Sequence, residues 1–129
     1  MLIEVFVLEK LTASMEDYLE VICNYTNDNR NIRAVDISKE LEVTRASVTE
    51  ALKKLANKGF ITYGRYDVIS LTDSGREIAD KIISKHKILQ DFFEKKLGLS
   101  QEEASINACK IEHVITDNAF KKISEYISK

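Results

Sequence analysis

Residues 35–75 read VDISKELEVTRASVTEALKKLANKGFITYGRYDVISLTDSG, and this stretch decides the fold. Val35 to Leu41 patterns as a short helix with Val35, Ile37 and Leu41 inward. "EVTRAS" (42–47) breaks it, and a second helix is expected from Arg45 to Asn57. There the apolar residues Val48, Ala51, Leu52 and Leu55 recur at spacings of three and four, which places them on one face. Lys58-Gly59 closes the helix, because glycine suits the left-handed position beyond a helix end. In "FITYGRYDVISLT" (60–72), alternating apolar residues flank a Gly-containing turn, the pattern of a β-hairpin. Short helix, tight turn, second helix and hairpin together predict a winged helix-turn-helix.

The flanks are helical. Ser14 is expected to cap a helix running to Asn27, with Tyr18, Leu19, Ile22 and Tyr25 as its apolar stripe. Thr72 or Asp73 caps a long helix to Leu97, whose stripe is Ile78, Ala79, Ile82, Ile83, His86, Leu89 and Phe93. Gly98 stops that helix, and Ser100 with Glu103 forms a capping box for the next. A last helix begins between residues 104 and 109 or near Asp117. The fold class is therefore mainly α, with an N-terminal winged helix (residues 1–73) and a helical second domain (residues 74–129).

Composition agrees with this reading. The chain has 129 residues, 44% hydrophobic and 31% charged, with no proline and no tryptophan, as suits a soluble, mainly helical protein. No apolar run approaches a membrane span. "MLIEVFVLEK" (1–10) lacks a basic start and a small-residue cleavage site, so it reads as an N-terminal strand or frayed extension rather than a signal peptide. Two cysteines without a secretory signal imply a reducing cytoplasm. Cys23, beside Val21 and Ile22, reads as a small buried hydrophobe.

Net charge is −2, yet from Arg30 to Tyr66 eight basic residues face four acidic ones. A partner that touches one face responds to that local excess, not to the overall charge. Thr44, Arg45 and Ser47 fall at the start of the second helix, where backbone N–H groups and hydroxyls suit phosphates and an arginine reaches bases. Thr49, Lys53 and Lys54 continue along the exposed side, and Arg65 sits at the hairpin tip. A solvated helix with ordinary surface lysines is the plainer reading, and winged helices also bind proteins.

Three further segments carry donor side chains. In "SMEDYLE" (14–20), Asp17 and Glu20 share a helix face at i, i+3. Asp17 is equally placed to complete a capping box with Ser14, and Glu20 to be a surface acid. His86 falls on the inward stripe of the long helix, as a ligand or a hydrogen-bonded core residue. In "CKIEH" (109–113), Cys109, Glu112 and His113 are expected on one face of a helix; alone the motif is weak. Mixed carboxylate, imidazole and sulfur donors suit a first-row divalent ion.

"SMEDYLEVI" (14–22), the winged helix, "ISKHKILQDFF" (83–93) and "ACKIEHVITD" (108–117) together resemble the diphtheria toxin repressor/manganese transport regulator family of metal-dependent repressors. The likeness spans roughly residues 12–129 in the order and spacing of every donor segment, and it is closest to the short, two-domain form. It implies a transcriptional repressor, not an enzyme. Such a repressor acts as a homodimer on palindromic double-stranded operators of metal-uptake genes, with no small-molecule substrate and no membrane partner. It also implies a metal at the domain junction. Asp17 and Glu20 match first-helix ligands of the manganese branch; His86, Glu112 and His113 match ligands of both branches; Cys109 matches the iron branch, where the manganese branch has Glu. Ser105 and Gln90 replace a His and a Glu of the iron branch, so an iron-type ancillary site is not expected. The expected cofactor is Mn²⁺, then Fe²⁺, with Zn²⁺ or Co²⁺ binding in vitro. A winged-helix regulator answering to a small molecule or to Cys109 oxidation is the alternative.

Overall fold

The structure, a computed structural model, describes residues 11–129; the apolar segment 1–10, expected as a strand or extension, lies outside the described residues. The chain forms two compact units, one ending at Ala79 and the other spanning Asp80–Lys129.

In the first unit, α1 (Ala13–Asn27) opens on Thr12, whose hydroxyl accepts from Met15 N at 3.2 Å. Ser14 is therefore inside the helix and not its cap. The capping-box explanation for Asp17 goes with it, because Met15, not Asp17, takes the third helical position after Thr12. Helix α2 (Ala34–Leu41) starts with Arg33 N donating to Asp36 Oδ2 at 2.9 Å. It buries Ala34 and Ile37, while Val35 and Leu41 are half-buried. Glu42 ends α2 in the left-handed region (φ 54°), and the turn is tied by Ser38 Oγ donating to Val43 O at 2.6 Å. Helix α3 (Arg45–Asn57) has the expected bounds and buries Val48, Leu52 and Leu55. Gly59 at φ 82° closes it, as the sequence predicts.

The hairpin pairs β1 (Ile61–Tyr63) with β2 (Ile69–Leu71), antiparallel, with Thr62 opposite Ser70. Its base is fastened twice: Thr72 Oγ1 donates to Gly59 O at 2.6 Å, and Ser74 Oγ donates to the same oxygen at 3.0 Å. Thr72 Oγ1 also accepts from Gly75 N at 3.1 Å, which makes Thr72 the cap of α4 (Asp73–Asp91). Gly75 is buried at this crossing, and a Cβ there would overlap the Phe60 carbonyl. The core of this unit is Tyr18, Leu19, Ile22, Cys23, Ile37, Val48, Leu52, Leu55 and Ile61, all at most 3% exposed. Full burial of each large aliphatic side chain contributes about 2 kcal/mol. Cys23 behaves as the buried hydrophobe the sequence predicts.

The second unit begins within α4. That helix does not run regularly to Leu97. It widens at Phe92–Lys96 into a π turn, in which Leu97 N donates to Phe92 O at 3.3 Å. Helix α5 (Gln101–Ile111) is capped by Ser100, whose hydroxyl accepts from Glu103 N at 3.1 Å. Helix α6 (Asp117–Ser128) is capped by Thr116, which settles the last helix at Asp117. Both helices pack on the 92–96 turn. Buried residues here are Ile82, Leu89, Ala104, Ala108 and, unusually for its charge, Glu112.

Candidate metal centre and DNA-binding face

The second unit brings two of the proposed ligands together. His86 projects from α4, and its Nδ1 lies 2.9 Å from Glu112 Oε1. On the far side of the ring, Ser105 Oγ on α5 is 3.5 Å from His86 Nε2. Glu112 is 3% exposed, and among the described residues no hydrogen-bond partner reaches its Oε2. A buried acceptor without a partner costs about 1–3 kcal/mol, more when charged. Such an oxygen, next to an imidazole, fits a divalent cation, which compensates a buried carboxylate that neutral donors do not reach.

The stretch Cys109–His113 spans the end of α5. The α-helix ends at Ile111, and Glu112 is its C-cap, with its N–H on Ala108 O at 2.9 Å. Val114 N and Ile115 N both donate to Ile111 O at 2.9 Å and close the turn that follows the helix. Cys109 is exposed, Glu112 buried and His113 half-buried. Asp17 and Glu20 stand on α1 of the first unit, i, i+3 and both half-buried. Ser105 was not among the expected ligands; its place opposite His86 depends on α5 packing, which no local motif signals.

The second polar face belongs to the helix-turn-helix. Thr44 caps α3, its Oγ1 accepting from Ser47 N at 3.1 Å and donating to Ser47 Oγ at 2.9 Å. Thr44, Arg45 and Ser47 are exposed around the first turn, where the Arg45 and Ala46 N–H groups have no intrahelical acceptor. Lys53 and Lys54 are exposed further along and Thr49 is half-buried. Lys54 Nζ reaches Glu50 at 3.8 Å in an open ion pair that contributes little. Arg65 lies in the hairpin turn and is exposed.

Comparison with known proteins fits both faces. Residues 10–68 match the family described as "Iron dependent repressor, N-terminal DNA binding domain". Residues 72–129 match "Iron dependent repressor, metal binding and dimerisation domain". An uncharacterized HTH-type transcriptional regulator of Methanocaldococcus jannaschii is 37% identical over 92% of this chain and 96% of its own length. The HTH-type transcriptional regulator MntR of Geobacillus kaustophilus is 32% identical over 90% of this chain and 82% of its own. The chain belongs to the diphtheria toxin repressor/manganese transport regulator family.

This family member resembles a solved "Manganese-dependent transcriptional repressor complex with manganese" at a TM-score of 0.79 and 26% identity, covering 88% of this chain and 52% of that one. It thus spans about half the length of that structure. As a member of the family it is a metal-dependent DNA-binding transcriptional repressor and not an enzyme. Among the described residues no helix is long and apolar enough to cross a membrane.

Proposed function

We propose that this repressor senses Mn²⁺, with Fe²⁺ the next candidate, and represses metal-uptake genes by binding palindromic operators as a homodimer. In this reading residues 1–73 are the DNA-binding domain and residues 74–129 the metal-binding and dimerisation domain. The ligands are Asp17, Glu20, His86, Glu112 and His113, with Cys109 contributing its thiolate or its backbone carbonyl. The observation that carries the metal reading is the buried Glu112 carboxylate, with His86 on one oxygen and, among the described residues, no hydrogen-bond partner on the other.

The bound ion supplies positive charge and fixed coordination to these donors. Everything else comes from the chain. Asp17, Glu20 and Glu112 are like charges, and bringing them together uncompensated is unfavourable. Asp17 and Glu20 sit on α1, whose Leu19 and Ile22 belong to the same core as Val48, Leu52 and Leu55 of α3. A ligand set drawn from both units therefore ties the orientation of α3 to the state of the site. In a dimer, the two α3 helices must stand about 34 Å apart to enter successive major grooves. Thr44, Arg45 and Ser47 then meet phosphates and base edges, with Thr49, Lys53, Lys54 and Arg65 extending the contact. Fixing that spacing before DNA arrives removes an ordering cost from binding, a positive coupling between the two ligands.

Hard carboxylates favour Mn²⁺ or Fe²⁺, whereas a thiolate from Cys109 draws the site towards Fe²⁺, Co²⁺ or Zn²⁺. The deciding experiment measures DNA affinity by fluorescence anisotropy on duplexes selected from a random-sequence pool. It compares Mn²⁺, Fe²⁺, Co²⁺, Zn²⁺ and chelator. Affinity is expected to rise roughly 5- to 150-fold with the cognate ion. Equal binding with chelator and with every metal would refute the proposal. The exposed thiol of Cys109 supports a second reading, oxidative control; a peroxide response that persists under chelation would favour it.

A further inference from the structure

The hairpin tip carries an apolar feature that neither the helix-turn-helix nor the metal site uses. Among the described residues of the first unit, the exposed large hydrophobics are Tyr66, at 93%, and Val68, at 59%. Both stand on the wing. Gly64 N donates to Val68 O at 3.2 Å, which closes a short loop with Tyr66 at its centre. Tyr66 is held at φ 64°, ψ 24°, the left-handed region that disfavours a bulky L-residue. Glycine or asparagine would hold that turn with less strain, and neither would expose an aromatic ring to water. The strained ring of Tyr66 stands fully exposed beside the exposed Arg65.

We infer that Tyr66, flanked by Val68 and Arg65, is the wing's apolar contact with duplex DNA, its ring lying against deoxyribose and the minor-groove edge. The chemistry is complementary. Sugar faces and groove walls are the apolar part of a duplex, and they lie next to the phosphates that a guanidinium neutralises. Val68 widens the apolar patch on the same hairpin. Arg65 then provides the salt-dependent part of the wing's contribution and Tyr66 the salt-independent part. This inference rests on the chain binding DNA as proposed above.

The test uses the full Mn²⁺-loaded chain and a mixed-sequence duplex at low salt, so no operator need be known. The chain has no tryptophan, so Tyr66→Trp places a single tryptophan, excited selectively over tyrosine, at the tip. Its emission is expected to shift on DNA addition, and iodide quenching to fall. Tyr66→Gly removes the ring while suiting the left-handed backbone, so its melting temperature stays level or rises. Its affinity is expected to fall roughly tenfold with an unchanged salt slope. Arg65→Ala, by contrast, lowers that slope by about 0.9. Wild-type binding with full-strength Tyr66→Gly binding, or with unaltered Tyr66→Trp quenching, overturns this inference alone. A wild-type chain that binds no DNA overturns the proposed function with it.

Discussion

Replacing Glu112 by glutamine separates a metal ligand from a structural carboxylate, and the two roles predict opposite signs. Glu112 is 3% exposed, with Oε1 on His86 Nδ1 at 2.9 Å and Oε2 without a hydrogen-bond partner among the described residues. A glutamine amide carbonyl accepts from an imidazole N–H as a carboxylate oxygen does. Glutamine therefore keeps a hydrogen bond to His86 and replaces the buried carboxylate with a neutral amide, whose burial costs less. The metal-free variant is expected to be more stable than the metal-free wild type by about 1 kcal/mol. For a chain of this size that raises Tm by about 3 °C. With Mn²⁺ at a hundred times Kd, binding stabilises the wild type by about 2.7 kcal/mol, a rise of about 8 °C. Glu112→Gln is expected to lose most of that rise. Differential scanning calorimetry with chelator and with Mn²⁺ reads all four values. A variant that keeps the full metal-induced rise, or that melts several degrees below wild type in chelator, would show that the carboxylate is there for an ion pair with His86 and not for a metal.

Three other perturbations test the scaffold. Thr44→Ala removes the hydroxyl that caps α3; urea unfolding should show a loss of about 1 kcal/mol, and DNA affinity should fall further than stability explains. Gly75→Ala forces a methyl into the Phe60 carbonyl. The backbone cannot yield there as a side chain end would, so a loss of about 3 kcal/mol is expected by the same assay, with the wing loosened first in hydrogen exchange. Tyr18 is buried in the first unit, and burial raises its phenol above the ordinary value. The folded state then holds that proton more tightly than the unfolded chain, so stability is intact below about pH 10 and declines as pH rises through the tyrosine range. Tyr18→Phe should flatten that decline in chemical unfolding measured at successive pH values.

How far the sequence reached depended on whether a feature was local. Helix α3 kept its expected ends because Thr44, the Val48–Leu55 stripe and Gly59 each act within one or two turns. The hairpin was legible for the same reason. The start of α1 was misplaced by two residues: Thr12 and Ser14 are both good caps, and choosing between them needs the packing of Met15, which is buried. The long helix lost its last turn to a π turn under α5 and α6, a packing outcome with no signature in the 3.6-residue stripe. Candidate donors were legible by type and order, but their accessibility was not, because it depends on how α4 and α5 pack.

By itself, then, the sequence determined the element order, the winged helix-turn-helix, the basic face on α3 and which side chains are candidate donors. These follow from periodicity, capping and residue chemistry, all of which act over a few residues. Only the tertiary structure decided that Glu112 is buried while Cys109 is exposed, that His86 stands between Glu112 and Ser105, and that Tyr66 is left in solvent at the wing tip. Each of those depends on segments distant in sequence meeting, or failing to meet. Local pattern carries no information about an unpaired carboxylate oxygen until the helices that enclose it have packed.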